Sequence, residues 1–311
     1  MTILICGEAL FDVFFETERP DGFMLDARIG GSAFNVAIGL GRLAQPVGLL
    51  TGIARDRLGD KLAATLAAEG VDPAYLRRKD ATTTLGLVSL DEAGSAQYNF
   101  YGEGAADRMV LIDDLPDTGP IAAASFGCFS LLTRPTGDSF LTFAEWLATA
   151  GRLVVLDPNI RPTVEPDPAV WRRRVDAFAA HAGLIKVSAE DLEHLYPGEA
   201  VADVAARWLA GEAGAVVVTH GGEGVEMIRA GGTLRVPARS VRVADTVGAG
   251  DSFLAAFLMH LRETGALSRD AIANLSDDAA GATLAFAANA AAITCERRGA
   301  DLPHRNELPA I

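Results

Sequence analysis

Asp245-Thr246-Val247-Gly248-Ala249-Gly250-Asp251-Ser252-Phe253 is the stretch whose residue types and spacing most directly suggest chemistry. A turn punctuated by Gly248 and Gly250 runs straight into a helical pattern, with Phe253, Phe257 and Leu261 at i, i+4 and i+8. Glycines let the backbone bend sharply and approach a ligand with no Cβ in the way. The first amides of a helix have no intrahelical acceptor and lie at the positive end of its dipole, so this turn is a candidate anion site. A carboxylate beside such a site repels a ground-state anion. Asp251 therefore has another task, and taking the proton of an attacking hydroxyl is the natural one. The competing reading is an ordinary helix start in which Asp251 complements the dipole.

Composition narrows the class of protein around that stretch. With 311 residues, half of them hydrophobic, the chain can bury the interior of an α/β enzyme with one main domain and a small appendage. Lys and Arg number 27 against 41 Asp and Glu, a net charge of −14, which argues against nucleic-acid and acidic-membrane partners. Cys6, Cys128 and Cys295 lie far apart with no C-x-x-C pair, so free thiols in a reducing compartment are expected. The histidines show neither H-x-x-x-H nor H-E-x-x-H spacing, which argues against zinc. The first eight residues, ending in Gly7-Glu8, lack a basic segment and read as a strand rather than a signal peptide. Apolar helical runs are broken by charge or glycine before they reach spanning length. A cytoplasmic, soluble protein is expected.

The elements that must position the turn alternate strand and helix. Residues 3–6, 47–52, 153–156, 184–187 and 215–219 are short apolar runs of the kind buried in parallel sheets. A helix is expected from 32, with Ser32 as N-cap and Phe34, Ala37, Ile38 and Gly41 on one face. Others are expected over 60–69, closed by Gly70, and over 168–181, with Arg172, Arg173 and Arg174 as a solvated face. The alanine-rich segment 277–295 should pack on the helix that starts near 250. Gly221-Gly222-Glu223-Gly224 turns the chain into a hairpin of 225–228 with 234–236. Two excursions break the rhythm, at about 9–29 and 82–107. The second holds a hairpin turning at Asp91-Glu92-Ala93-Gly94-Ser95. Together they would form a small sheet, a lid over a cleft or an edge used in dimer packing. No repeat or linker separates a second block, so 1–311 reads as one domain with insertions.

A phosphate cradle, an acid beside it and a lid suggest phosphoryl transfer, which needs positioning and charge stabilisation more than covalent chemistry. The chain has no G-x-x-x-x-G-K-[ST] and no H-R-D or D-F-G set, which excludes P-loop NTPases and protein kinases. Two distant signatures do resemble one family, the ribokinase-like (PfkB-type) carbohydrate kinases. One is Gly30-Gly31-Ser32-Ala33-Phe34-Asn35-Val36-Ala37, continued through Gly52 and Asp56 to Gly59; the other is the turn 245–253. The resemblance spans nearly the whole chain. It implies a three-layer α/β/α sandwich with a mostly parallel central sheet and a small β-sheet lid. It also implies ATP and Mg²⁺ as cofactors, with a sugar's primary hydroxyl as acceptor.

The resemblance further implies roles for particular residues. Asp251 would be the base, and Gly248, Ala249 and Gly250 would offer N–H groups to the moving phosphoryl. Asp12, Gly31 and Asn35 would bind sugar hydroxyls, and Arg161 would reach a nucleotide or sugar phosphate. Lys186, Ser188, Thr219, Gly221, Gly222 and Gly224 would hold ATP. Simpler readings compete: a turn residue for Asp12, a helix start for Asn35, a surface ion pair for Arg161. Residues 100–107, 157–162 and 186–188 resemble the members acting on fructose. A 2-keto-3-deoxygluconate or other ketose kinase is the enzymatic alternative, with Arg28 and Arg108 as cations for a carboxylate. An inactive sugar- or nucleotide-binding protein is the non-enzymatic one. One departure stands out. Many members carry Asn-x-x-Glu where this chain has Ser188-Ala189-Glu190-Asp191, and either Glu190 or Asp191 can order Mg²⁺ through water. Asp245 and Thr246 match positions near a monovalent-cation site in some relatives, which leaves K⁺ open. The expected partners are a small-molecule sugar and a second copy of the chain, a homodimer covering exposed β edges.

Overall fold

Each central strand carries apolar residues on both faces, and that alternation builds two cores. The computed structural model describes residues 1–90 and 96–311. Strand β1 (Thr2–Cys6) leads into an arm of two strands, β2 (Leu10–Arg19) and β3 (Gly22–Gly30), then α1 (Ser32–Arg42), β4 (Val47–Ala54), α2 (Arg57–Ala68) and β5 (Leu76–Lys79). A hairpin follows, β6 (Thr84–Leu90) with β7 (Ala96–Tyr101); its expected turn at 91–95 lies outside the described residues. The alternation resumes with β8 (Ile121–Gly127), α3 (Thr136–Thr149), β9 (Leu153–Asp157), α4 (Pro168–Ala179), β10 (Leu184–Ser188), α5 (Ala189–Leu195), α6 (Val201–Leu209) and β11 (Ala215–Thr219). The hairpin β12 (Val225–Arg229) and β13 (Gly232–Val236) precedes α7 (Ala249–Glu263), α8 (Arg269–Ala273) and α9 (Asp277–Cys295).

Nine strands form one sheet in the order β13-β12-β11-β10-β9-β8-β1-β4-β5. All its pairings are parallel except those of β11 with β12 and β12 with β13. Side chains alternate across a strand, so Ile3 and Ile5 join a core with α1, α7 and α9, while Leu4 and Cys6 join another with α3 and α4. Val217 against Val216 and Val218 repeats the split on β11. Each such side chain, fully buried, contributes about 1.5–3 kcal/mol. The result is three layers. A four-stranded sheet, β3-β2-β6-β7, stands apart, with β2 and β6 parallel.

Local chemistry moved some boundaries. Helix α2 starts at Arg57 rather than 60 because the Asp56 carboxylate accepts from Gly59 N at 2.7 Å, a side-chain N-cap. The expected solvated arginine face holds for Arg173. Arg172 instead donates to Leu195 O at 2.8 Å, and Arg174 pairs with Asp138 at 2.8 Å, stitching α4 to its neighbours. Cys6 and Cys128 are buried free thiols and Cys295 is half-buried. No described helix is long and apolar enough to cross a membrane.

From β1 the chain winds through β4 to β5 on one side, then returns at β8 and winds through β9 and β10 to β11 on the other. The order therefore reverses between β1 and β8, and the crevice outside the carboxyl ends there is where open α/β sheets bind ligands. Glu8, Gly127, Asp157, Ser188 and Thr219 all lie at that edge.

Candidate active site

Helix α7 enters this crevice from the middle of the molecule. Every residue from Asp251 to Leu261 is buried, because α1 flanks the helix on one side and α9 on the other. A helix buried all round is a core helix, so the single stripe of Phe253, Phe257 and Leu261 understated its burial. Gly39 of α1 permits the approach: a Cβ there would come within 2.9 Å of the Ala255 Cβ. Gly248 caps α7 in the left-handed region at φ 78°, and a Cβ on it would lie 2.7 Å from that of Ala300. Both conformation and space demand glycine. The amides of Gly248, Gly250 and Asp251 meet no acceptor among the described residues. That of Ala249, expected to join them, turns back onto Thr246 O at 3.2 Å.

Asp251 stands in the first turn with both oxygens held. Ser32 Oγ donates to Oδ1 at 2.6 Å and Asn35 Nδ2 donates to Oδ2 at 2.8 Å. Ser32 is thus not the N-cap of α1. Gly31 occupies that place at φ 106°, and it has no side chain to cap with. The Glu8 carboxylate takes over, accepting from Ser32 N at 2.8 Å and Ala33 N at 3.4 Å. Glu8 is 1% exposed, and burial raises its pKa despite those amides and the nearby Arg161. Asn35, read as a sugar ligand, spends its amide N–H on Asp251, leaving Oδ1 with no donor among the described residues.

Asp12 of β2 faces the same space. Its carboxylate lies where Gly30 and Gly86 lack side chains: a Cβ on Gly30 would stand 2.3 Å from Oδ2 and one on Gly86 3.0 Å from Oδ1. No described residue donates to it. Burial pushes its pKa up to about 6, with Arg161 pulling it down and Glu8 adding to the rise. Arg161 is no surface ion pair. Its Nη1 donates to Asn159 Oδ1 at 2.7 Å and to the carbonyls of Asn159 and Ile160, while Nε and Nη2 meet no described acceptor. Burial disfavours its charge, yet Cys128 and the acids Asp251, Glu8 and Asp191 carry its pKa above the usual value. Of the two cations offered for a substrate carboxylate, Arg28 pairs with Asp26 at 2.5 Å and Arg108 lies over the Phe129 ring at 5.4 Å.

The residues expected to hold ATP divide into two kinds. Thr219 is partly exposed, and Gly221 and Gly222 are exposed with open space around them. Lys186 and Gly224 are buried instead. Lys186 Nζ pairs with Asp157 Oδ2 at 2.7 Å and lies 3.3 Å from where a Cβ on Gly250 would stand, beneath the first turn of α7. Burial pushes Asp157 up to about 6 despite that ammonium, and Asp157 Oδ1 meets no donor among the described residues. Burial opposes the Lys186 charge, but the Asp157 carboxylate overrides it and raises the lysine's pKa. Gly224, at φ 114°, packs its backbone against Val236–Ala238 and closes the β11–β12 turn.

The metal-ligand candidates are tied up unevenly. Ser188 and Asp191 form a capping box on α5, with Ser188 Oγ accepting from Asp191 N at 3.0 Å. Asp191 Oδ2 accepts from Ser188 N at 3.2 Å and Oδ1 from Ile160 N at 2.8 Å. Glu190 is exposed. No cluster of three metal-binding side chains occurs among the described residues, so this donor set fits an ion held mainly by water and phosphate. Both Asp245 oxygens accept backbone amides, from Val247 at 3.1 Å and Gly299 at 2.8 Å, so this carboxylate joins two loops. These amides lower its pKa against the opposing effect of burial.

Four polar residues of the network escaped sequence reasoning or were read otherwise: Glu8, Ser32, Asp157 and Asn159. Glu8 carried a signal, a lone acid after an apolar strand at the ligand-binding edge. Asn159 sits at φ 43° with its amide joining Arg161 to Ser32, and no spacing pattern announces that.

The family model for pfkB family carbohydrate kinases matches residues 2–306. A fructokinase of Rhizobium leguminosarum bv. trifolii is 40% identical over 281 residues, 89% of this chain and 85% of its own length. A Klebsiella pneumoniae fructokinase is 32% identical over 98% of this chain and 97% of its own. The crystal structure of a Xylella fastidiosa fructokinase with bound ATP superposes with a TM-score of 0.88 at 25% identity, covering 99% of this chain and 95% of that one. The three layers with their small sheet, the glycine turn at the head of α7 and the matched sequence agree: this chain belongs to the pfkB family of carbohydrate kinases.

Proposed function

We propose that this chain is a fructokinase, transferring the γ-phosphoryl group of ATP to the primary hydroxyl of D-fructose. The carrying observation is Asp251, oriented by Ser32 and Asn35 at the head of α7 beside amides that meet no described acceptor. Such a carboxylate takes the hydroxyl proton as the oxygen attacks, and the amides of Gly248 and Gly250 stabilise the charge on the moving phosphoryl. Asp12, the free oxygen of Asn35 and the remaining N–H groups of Arg161 supply acceptors and donors for a polyol. The open side at Thr219, Gly221 and Gly222 takes the nucleotide. Mg²⁺, when bound, neutralises phosphate charge, and Glu190 or Asp191 orders it through water. Asp245, each of whose oxygens accepts one backbone amide and keeps a lone pair free, and Thr246 beside it are the residues that would hold K⁺.

Names of the relatives support fructose as the sugar, and the ATP bound to the Xylella enzyme supports the donor. The four-stranded sheet acts as a lid that keeps out water, a competing acceptor. Phe15, Phe23, Met24 and Leu25 are exposed on β2 and β3, which supports pairing of two copies through this sheet in a cytoplasmic homodimer.

Coupled ADP release with ATP and Mg²⁺ tests the reading across fructose, 2-keto-3-deoxygluconate, ribose, tagatose and glucose, beside Asp251→Ala. Fructose-selective turnover that falls at least ~10²-fold in the variant is expected. Turnover selective for another sugar would replace fructose and keep the mechanism. Nucleotide binding without turnover on any sugar would establish a binding protein instead.

A further inference from the structure

We propose that Ser32 is the positioning residue of the Asp251 base, and that Glu8 and Asn159 act through it; this rests on the reading of Asp251 as the base. A serine hydroxyl has one proton to give. Asn159 Nδ2 donates to Ser32 Oγ at 2.7 Å, and Arg161 Nη1 donates to Asn159 Oδ1 at 2.7 Å. The second bond fixes which end of the amide is oxygen, so the nitrogen faces Ser32 and cannot accept. The serine proton is thereby directed to Asp251 Oδ1 at 2.6 Å. Every bond from Arg161 to the carboxylate points the same way.

The backbone of Ser32 is placed as deliberately as its hydroxyl. It is the first residue of α1, and its N–H is held by the buried Glu8 carboxylate because Gly31 offers no cap. A Cβ on Gly31 would lie 2.9 Å from Glu8 O, so this approach requires the glycine. Glu8 stands two residues before β2, and Ser32 two residues after β3. The two roots of the β2–β3 arm therefore meet at one carboxylate, and the oxygen plane of Asp251 depends on where they meet. Asn35, one turn further along α1, holds the other oxygen. Two donors fix the plane of the carboxylate, leaving one oxygen edge for the sugar hydroxyl. With Ser32 gone the carboxylate turns about a single donor, and misplacement of this kind costs about 10- to 10²-fold in rate.

The test is a double-mutant cycle read by kcat, by KM for fructose and for ATP, and by Tm, using wild type, Ser32→Ala, Asp251→Asn and the double variant. Ser32→Ala is expected to lower kcat about 10- to 10²-fold with both KM values within about twofold. In the Asp251→Asn background the alanine should cost nothing more. Ser32→Thr, which keeps an Oγ, should recover most of the rate, and it carries the test should the alanine variant fail to fold. Equal losses in both backgrounds, a change in KM with kcat intact, or no recovery by threonine would overturn the proposal while leaving the base in place. Wild-type kcat in Asp251→Asn would overturn the base reading and this proposal with it.

Discussion

The half of the crevice proposed to take the sugar is built from side chains that hold one another, whereas the half proposed to take the nucleotide is built from backbone and open space. In the first, Glu8, Ser32, Asn35, Asn159, Arg161 and Asp251 form a continuous network of hydrogen bonds and close charges. In the second, Gly221 and Gly222 are exposed, and a glycine presents only main chain. The two halves face different recognition problems. A polyol is distinguished by directional hydrogen bonds, which require groups fixed in advance. A polyphosphate is bound by helix-terminal amides and charge, which tolerate changes of side chain. Substitutions should therefore act sharply in the first half and mildly in the second, except at buried supports beneath the open side.

Lys186 is the strongest such exception. Lys186→Met leaves the Asp157 carboxylate buried without its cation, and uncompensated buried charges of this kind cost about 3–5 kcal/mol. The urea midpoint at pH 7 should fall accordingly. Lys186→Met combined with Asp157→Leu should recover most of that loss, since apolar pairs replace buried ion pairs at little cost. If the single variant keeps wild-type stability and loses only ATP affinity, Lys186 belongs to the nucleotide site directly and the exception disappears.

The glycines of the β11–β12 turn sharpen the contrast within four residues. A Cβ on Gly224 would stand 2.2 Å from Val236 O at φ 114°, so Gly224→Ala must displace the hairpin, at about 1–3 kcal/mol. Nothing lies within 4 Å of a Cβ on Gly222, so Gly222→Ala should leave Tm unchanged and shift the KM for ATP by no more than about twofold. Thermal melts and ATP titration of the two variants decide. Equal losses would mean that the turn acts as one rigid unit rather than as an open edge.

What the sequence made legible follows from range. The glycine turn and the acid at the head of α7 were readable because glycines, carboxylate and apolar helix are neighbours. The strands were readable because parallel strands buried on both faces are short apolar runs. The supports of Asp251 were not, since Ser32 lies 219 residues from Asp251 and Asn159 lies 127 from Ser32. Lys186 marks the boundary. Its place at a strand end is legible in the apolar run, and its direction follows from alternation: Ile185 and Val187 face the α3–α6 core, so Lys186 faces α7. Asp191 is different, because its acceptance of Ile160 N depends on how two strand ends meet.

Asp12, which stands beside that network without a donor among the described residues, shows what an unpaired buried carboxylate costs the fold. Its pKa is about 6 in the folded chain against 3.8 as a free carboxyl, raised chiefly by burial. Between those values the native state keeps a proton that the unfolded chain has lost, so stability falls as pH rises through this window and stays lower above it. Asp12→Asn removes the titration. The variant should match wild type near pH 3.5 and exceed it at pH 7 by about 1–3 kcal/mol in urea unfolding, while losing sugar affinity. A difference that is the same at both pH values would show that the carboxylate is not strained by burial. Because a bound polyol would donate hydroxyls to this same carboxylate, fructose should stabilise the wild type more than the variant at pH 7. A group left costly in the empty crevice is thereby one whose cost the substrate relieves, which is how a fixed network selects what closes over it.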